Sequence, residues 1–140
     1  MNYLETFQQI MKEQLAVAIA TSVDNQPNVR IVNFYYNEQN PGVLYFATFK
    51  HSSKVTEFQQ HDIVAFTTVP LSDTAYARVK QAVVKKSKKT IYDLQDALVQ
   101  KIPNYASIIE QVGENIDVYE LHFSEVNVAL DFMHTDIITL

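Results

Sequence analysis

Cysteine is absent from the 140 residues, and glycine occurs only twice, at Gly42 and Gly113. Without cysteine the chain cannot form a disulfide, a zinc–thiolate site, an iron–sulfur cluster or a thiol nucleophile. Two isolated glycines also exclude the glycine-rich loops of the GxGxxG and GxxxxGK types. If the chain binds a phosphate group, side chains and helix ends must therefore hold it.

Basic residues and long apolar runs are scarce as well. Eleven Lys and Arg stand against sixteen Asp and Glu, which gives a net charge of −5 and argues against a general nucleic-acid binder. No stretch approaches the roughly 18 consecutive apolar residues of a membrane span, and the N-terminal residues lack the pattern of a signal peptide. We expect a cytoplasmic protein with neither nucleic acid nor membrane as a partner.

The composition is 47% hydrophobic, and the length predicts a single domain over residues 1–140. Apolar residues at helical spacing predict an opening helix over 2–14, and further helices are expected at 51–60, 90–102 and 105–112. Period-two patterns predict strands over 15–23, 29–37, 43–49, 63–69 and 74–85, and one long strand or a pair over 117–130. Six or seven strands joined by short turns favour an antiparallel barrel with flanking helices, a mainly β fold of the α+β class.

Four tyrosines are expected at exposed positions of this barrel, namely Tyr35, Tyr36, Tyr45 and Tyr76. Exposed aromatic side chains are typical of a surface that a second copy covers. The sequence therefore predicts a homodimer.

Two segments carry candidate binding residues. Arg30 shares a strand face with Val32 and Phe34, so its guanidinium needs an anionic partner, either a ligand phosphate or a nearby carboxylate. Ser52-Ser53-Lys54 begins a predicted helix and offers hydroxyls, free backbone N–H groups, the positive end of the helix dipole and a lysine. Each feature alone has a structural explanation, a rim ion pair or a capped helix, but together they favour a bound phosphate.

The segments Arg30-Ile31-Val32, Tyr45-Phe46-Ala47-Thr48 and His51-Ser52-Ser53-Lys54 resemble, in order and spacing, the FMN-binding elements of the pyridoxamine 5'-phosphate oxidase-like split-barrel superfamily. The resemblance covers roughly residues 4 to 85, and the later helices and strands are similar to those of its small, stress-protein-like members. It implies a six- to seven-stranded antiparallel split β-barrel that binds flavin mononucleotide (FMN).

The resemblance also implies a role for each site residue. Arg30, Ser52, Ser53 and Lys54 would hold the FMN phosphate, and Thr48 would lie near the ribityl chain. The backbone of Ile31, Val32 and Asn33 would face the flavin ring. In such dimers the flavin lies at the subunit interface, so that Tyr76 would come from the second chain.

Departures from the family pattern affect the expected activity. Ser53 replaces a second arginine, and residues 131–135 lack the Arg-x-His that the true oxidases use for pyridoxal phosphate. We therefore expect an FMN-dependent oxidoreductase acting on an unidentified small molecule or electron donor, rather than a true pyridoxamine phosphate oxidase. No catalytic residue can be named from the sequence.

Two other functions stay open: a non-catalytic flavin- or haem-binding or sensing module, and a dimeric interaction module whose pocket is vestigial. The four histidines, His51, His61, His122 and His134, lack metal-site spacing, so no metal is expected. The lysines between Lys80 and Lys89 are interpreted as a solvated loop.

Overall fold

The computed structural model describes residues 2–70 and 74–140. These residues form four α-helices, and a short 3-10 turn, Gly113–Asn115, follows the last of them. The helices are α1 (Tyr3–Glu13), α2 (Ser53–Gln60), α3 (Gln95–Lys101) and α4 (Tyr105–Val112). The strands are β1 (Ala16–Val23), β2 (Gln26–Asn33), β3 (Tyr35–Tyr36), β4 (Val43–Phe49), β5 (Ile63–Thr68), β6 (Tyr76–Lys86), β7 (Ile116–His122), β8 (Glu125–Ala129) and β9 (Thr135–Thr139).

The strands form one antiparallel sheet in the order β2-β1-β5-β6-β7-β4-β3, with β8 paired to β6 and β9 paired to β8. The long strand β6 changes partner along its length: Tyr76–Arg78 pair with β8, and Val83–Lys86 pair with β7. Because β2 and β3 end the order without pairing to each other, the barrel is split. The predicted antiparallel split barrel with flanking helices is confirmed.

Alternating burial along the strands explains how the barrel fills. On β1, Val17, Ile19 and Thr21 point into the core, whereas the alanines between them are only partly covered on the outer face. A second apolar cluster lies where α3 and α4 cover the outer face of β4 and β7; Leu98 and Ile109 belong to it. α3 and α4 therefore cover one side of the barrel.

A two-residue turn sets the register of β1 and β2. Asp24 and Asn25 both have positive φ, 52° and 64°, and Val23 pairs directly with Gln26. Asp and Asn tolerate this left-handed conformation, and a type I′ turn matches the twist of a hairpin. The tight turn places Arg30 opposite Ile19 on the neighbouring strand.

The residues that the structure describes form nine strands, two more than the larger predicted number of seven. The segment predicted as one strand over 29–37 divides at Phe34 into β2 and β3, and the C-terminal residues add β9. The segment 117–130, predicted as one long strand or a pair, forms the pair β7 and β8. The longest described helix, α1, has 11 residues, so none in the described ranges is long and apolar enough to cross a membrane.

The expectation of four exposed tyrosines is wrong: Tyr35 and Tyr76 are half-buried, and the other two are buried. Tyr36 is 9% exposed and Tyr45 is 6% exposed, because helices and neighbouring aromatic rings cover the face on which each lies. Tyr36 packs edge-on against Phe7 of α1, and Tyr45 stacks on Tyr35. Any argument for a second copy must therefore rest on other residues.

Candidate functional site

The N-terminus of α2 lies at the end of β4. The hydroxyls of Thr48 and Ser52 lie 3.0 Å apart and bond to each other. Ser52 has the backbone conformation of an N-cap, but its side chain makes no capping bond to the helix. The first N–H groups of α2 therefore have no side-chain acceptor, which is the state that favours an incoming anion.

Arg30 lies on β2 at the rim of the barrel and faces α2. Its Nη1 donates to the hydroxyl of Thr21 at 3.2 Å, and its Nη2 donates to Oε1 of Glu57 at 2.5 Å. The side chains of Arg30 and Glu57 are only 15% and 17% exposed. Of the two partners that the sequence left open for the guanidinium, the structure supplies the carboxylate.

Glu57 is the centre of a small polar network. Its Oε2 accepts from the Thr21 hydroxyl at 2.7 Å, and its Oε1 also accepts from the Asn28 amide at 3.4 Å. Burial alone would raise the pKa of the Glu57 carboxyl, but the Thr21 hydrogen bond and the Arg30 charge outweigh it and lower the pKa. Glu57 is therefore an ionised carboxylate at neutral pH.

Lys54 lies one turn before Glu57 on the same side of α2. Partial burial and the positive charge of Arg30 lower the pKa of its ammonium, and Glu57 opposes them. Among residues 2–70 and 74–140, no carboxylate lies within ion-pair distance of the Lys54 ammonium. The rim thus holds two cations and one anion, and Lys54 is the cation left for a ligand.

β2 has a free edge next to this rim. The Phe34 N–H donates to the Leu15 carbonyl at 3.2 Å, which directs the backbone groups of even-numbered β2 residues toward β1. By alternation, the backbone groups of Ile31 and Asn33 point to the open edge, whereas those of Val32 point to β1. Of the three backbone positions predicted for the flavin ring, two therefore have hydrogen-bonding groups to offer.

Tyr76 is not brought together with the other predicted residues. It lies on β6 opposite Ala129, three strands from β2, or roughly 14 Å at ordinary strand spacing. It shares the outer face of the sheet with Arg78, which is exposed. Within one chain, Tyr76 cannot contact a ligand held at the Arg30 rim.

Glu57 and Thr21 were not predicted as parts of this site. The spacing of Lys54 and Glu57 places them on one helix face and was an available signal. The meeting of Glu57 with Arg30, 27 residues earlier, depends on how α2 crosses the barrel end. Periodicity within a single element carries no information on that crossing.

Two of the four histidines each pair with one carboxylate. His122 Nε2 lies 2.7 Å from Glu120, and His134 Nδ1 lies 2.8 Å from Asp131. Within the described parts of the chain, no three side chains of the metal-binding types come together.

The uncapped end of α2, the Lys54 ammonium and the free edge of β2 together offer hydrogen-bond donors to a ligand. Ser53 is exposed at the first turn of α2, where its N–H and hydroxyl add to the donor set.

These features define a split-barrel domain with an uncapped helix end beside an open strand. Residues 10–134 match the family described as pyridoxamine 5'-phosphate oxidase-like, and the chain belongs to this family. No curated protein matches the chain.

Solved structures share the fold at low sequence identity. General Stress Protein 26 from Bacillus anthracis is 16% identical with a TM-score of 0.74, over 100% of both chains. A FAD-binding protein from Mesorhizobium loti is 14% identical with a TM-score of 0.65, over 90% of this chain and 92% of its own. HutZ, the haem storage protein from Vibrio cholerae, is 11% identical with a TM-score of 0.72, over 96% of this chain and 100% of its own.

Proposed function

We propose that this chain binds FMN, with the phosphate at the N-terminus of α2 and the flavin ring along the open edge of β2. The observation that carries the proposal is the juxtaposition of an uncapped helix end, an unpaired Lys54 ammonium and a strand with free backbone groups. Family membership supports a flavin, and a solved structure of the same fold is named as a FAD-binding protein. The absence of glycine-rich loops agrees with a phosphate held by side chains and a helix end.

A second copy of the chain is part of this proposal. The outer face of the sheet carries Val29 and Ile31, which are 63% and 66% exposed, next to the small residues Ala18 and Ala20. Exposed apolar side chains grouped in this way are typical of a surface that a second copy covers. In the homodimer, Tyr76 of the second copy would reach a flavin at the β2 edge, which it cannot do within one chain.

When bound, a flavin supplies one- and two-electron redox chemistry, and the protein supplies position and electrostatics. We propose an oxidoreductase that passes electrons between the flavin and a small molecule. The described residues offer no acid–base pair at the β2 edge, so the chain's own part is to bind the phosphate, orient the ring and exclude water from it.

The test is a titration of the protein with FMN, followed by quenching of flavin fluorescence. The wild type is compared with Lys54→Ala and with Lys12→Ala, a matched change at an exposed lysine of α1. We expect Lys54→Ala to weaken FMN binding about tenfold, as the loss of one charge-assisted hydrogen bond does, and Lys12→Ala to leave it unchanged. Equal weakening by both variants, or no binding by the wild type, would contradict the proposed site.

A haem-binding or sensing module is the second candidate, and one observation favours it. Asp131 holds Nδ1 of His134 through both carboxylate oxygens, at 2.8 and 2.9 Å, which leaves Nε2 as the nitrogen for a ligand. Phe132 and Met133 beside it are 96% and 85% exposed, an apolar surface suited to a porphyrin. Binding would shift the Soret band of added haem, and this shift should be absent in His134→Ala. A Soret band that the wild-type protein leaves unchanged would reject this function.

A further inference from the structure

Glu57 occupies the place at the rim where an anion would bind Arg30. Its carboxylate accepts hydrogen bonds from Arg30, Thr21 and Asn28, three donors on β1 and β2. These donors would otherwise be available to a ligand oxygen. The chain therefore carries its own anion in part of the site that a phosphate would use.

The position of Glu57 also sets the charge that a phosphate meets. It lies three residues after Lys54 on α2, so both side chains face the rim. Its negative charge neutralises Arg30 in the ion pair and acts against the positive charge of the rim at Lys54. A phosphate dianion beside Lys54 would be attracted by one unpaired cation, Lys54, and repelled by one carboxylate, Glu57.

We propose that Glu57 is a specificity-determining residue that reduces the preference of this site for phosphorylated ligands, because its carboxylate holds Arg30 in place of a phosphate. The wild-type chain then prefers FMN over riboflavin only by what Lys54 and the end of α2 contribute, and the phosphate gains the Arg30 contact only when Glu57 is neutral. The ligand named here rests on the proposed flavin function, whereas the blocking of an anion rests on the rim network alone.

The first experiment compares FMN and riboflavin on the wild type, Glu57→Gln and Glu110→Gln. The last is a matched loss of one carboxylate at an exposed position of α4. We expect the wild type and Glu110→Gln to prefer FMN over riboflavin by about tenfold, the contribution of Lys54, and Glu57→Gln to gain about a further tenfold for FMN alone, as a freed charge-assisted hydrogen bond allows. A wild type that prefers FMN strongly, with no further gain in Glu57→Gln, would overturn the inference.

The second experiment uses inorganic phosphate, so that the inference can be judged apart from flavin binding. Backbone amide signals of Ser53 and Lys54 and the Arg30 side-chain signal are followed by NMR during the titration. We expect saturable shifts in Glu57→Gln at phosphate concentrations about tenfold below those needed by the wild type and Glu110→Gln. Equal phosphate affinity in all three proteins would overturn the inference.

Failure of the proposed flavin function and failure of the proposed role of Glu57 give different results. If no variant binds either flavin but Glu57→Gln alone gains phosphate, the flavin function is rejected and the role of Glu57 stands. If FMN binds tightly to the wild type and phosphate affinity does not respond to Glu57→Gln, the flavin function stands and the role of Glu57 is rejected. If Glu57→Gln does not fold, both titrations are repeated with Glu57→Met, which keeps the length of the side chain but lacks its hydrogen-bond acceptor oxygens.

Discussion

At the scale of single residues, Lys101 is the most unusual group outside the site. Its ammonium donates to the carbonyls of Met11 and Phe34, at 3.2 and 3.0 Å, and lies 3.6 Å from the centre of the Phe34 ring. The lysine thereby joins α3 to the end of α1 and to the junction of β2 and β3. Burial lowers the pKa of this ammonium to about 8.

The lowered pKa predicts a pH dependence of stability with a definite sign. The unfolded chain, with an ordinary lysine pKa of 10.5, binds more protons than the folded chain between pH 8 and pH 10.5. The free energy of unfolding of the wild type should therefore rise across this window relative to Lys101→Met, by about 3 kcal/mol in total. Urea unfolding at several pH values measures the difference, and Lys12→Met, at an exposed position, is the control. Parallel curves for the wild type and Lys101→Met would contradict the assignment.

At the scale of elements, the turn between β3 and β4 depends on Gly42. Its φ is +83°, and an added Cβ would lie 2.5 Å from the backbone oxygen of Phe123. Its own carbonyl accepts from the Phe123 N–H at 2.9 Å, and its N–H donates to the Tyr36 hydroxyl at 3.0 Å. The turn is thus fixed against the β7–β8 connection by the close approach of two backbones.

Gly42→Ala should destabilise the fold by about 2–3 kcal/mol, because the side chain meets immobile backbone in a left-handed conformation. Gly113→Ala is the matched control. Its φ is not in the left-handed region, and the atom that an added Cβ would approach most closely is the hydroxyl of the exposed Tyr92 side chain. Thermal or urea unfolding should show a loss below about 1 kcal/mol for Gly113→Ala, and equal losses would argue against the close approach at Gly42.

Elements with a clear period were predictable from the sequence, and their junctions were not. The apolar run of β4 was predicted with its observed bounds, Val43–Phe49, since turn formers flank it. β9 lies on the outside of β8 with an irregular burial pattern, so no alternation marked it as a strand. The sequence placed Arg30, Ser52 and Lys54 at one site, whereas Glu57 required knowledge of how α2 packs on the rim.

At the scale of the whole molecule, the outer face of β1 and β2 is the surface on which we propose that a second copy packs. Ile31 lies opposite Ala18, so a charge at position 31 would stand in the middle of this face. Ile31→Asp should weaken the dimer by about a hundredfold in dissociation constant, as expected for a charge in an interface core. Ile108→Asp, on the exposed side of α4, should leave it unchanged.

Sedimentation velocity over a range of protein concentrations measures both variants against the wild type. A wild type that is monomeric at all concentrations would reject the homodimer. A dimer that withstands Ile31→Asp would place the interface elsewhere on the molecule.

The open edge of β2 has a consequence for solubility. A free strand edge beside exposed branched side chains can recruit strands from other copies and lead to aggregation. Pro27 lies opposite Ser22, at a position whose backbone nitrogen points outward, so the edge lacks a donor where an added strand would begin. The Val29 N–H donates to Oδ1 of Asn28 at 2.9 Å, so the donors that remain are those of Ile31 and Asn33. These two donors span a length closer to that of a small planar molecule than to that of a full β-strand. The edge can thus stay open for the proposed ligand while giving little template for β-aggregation.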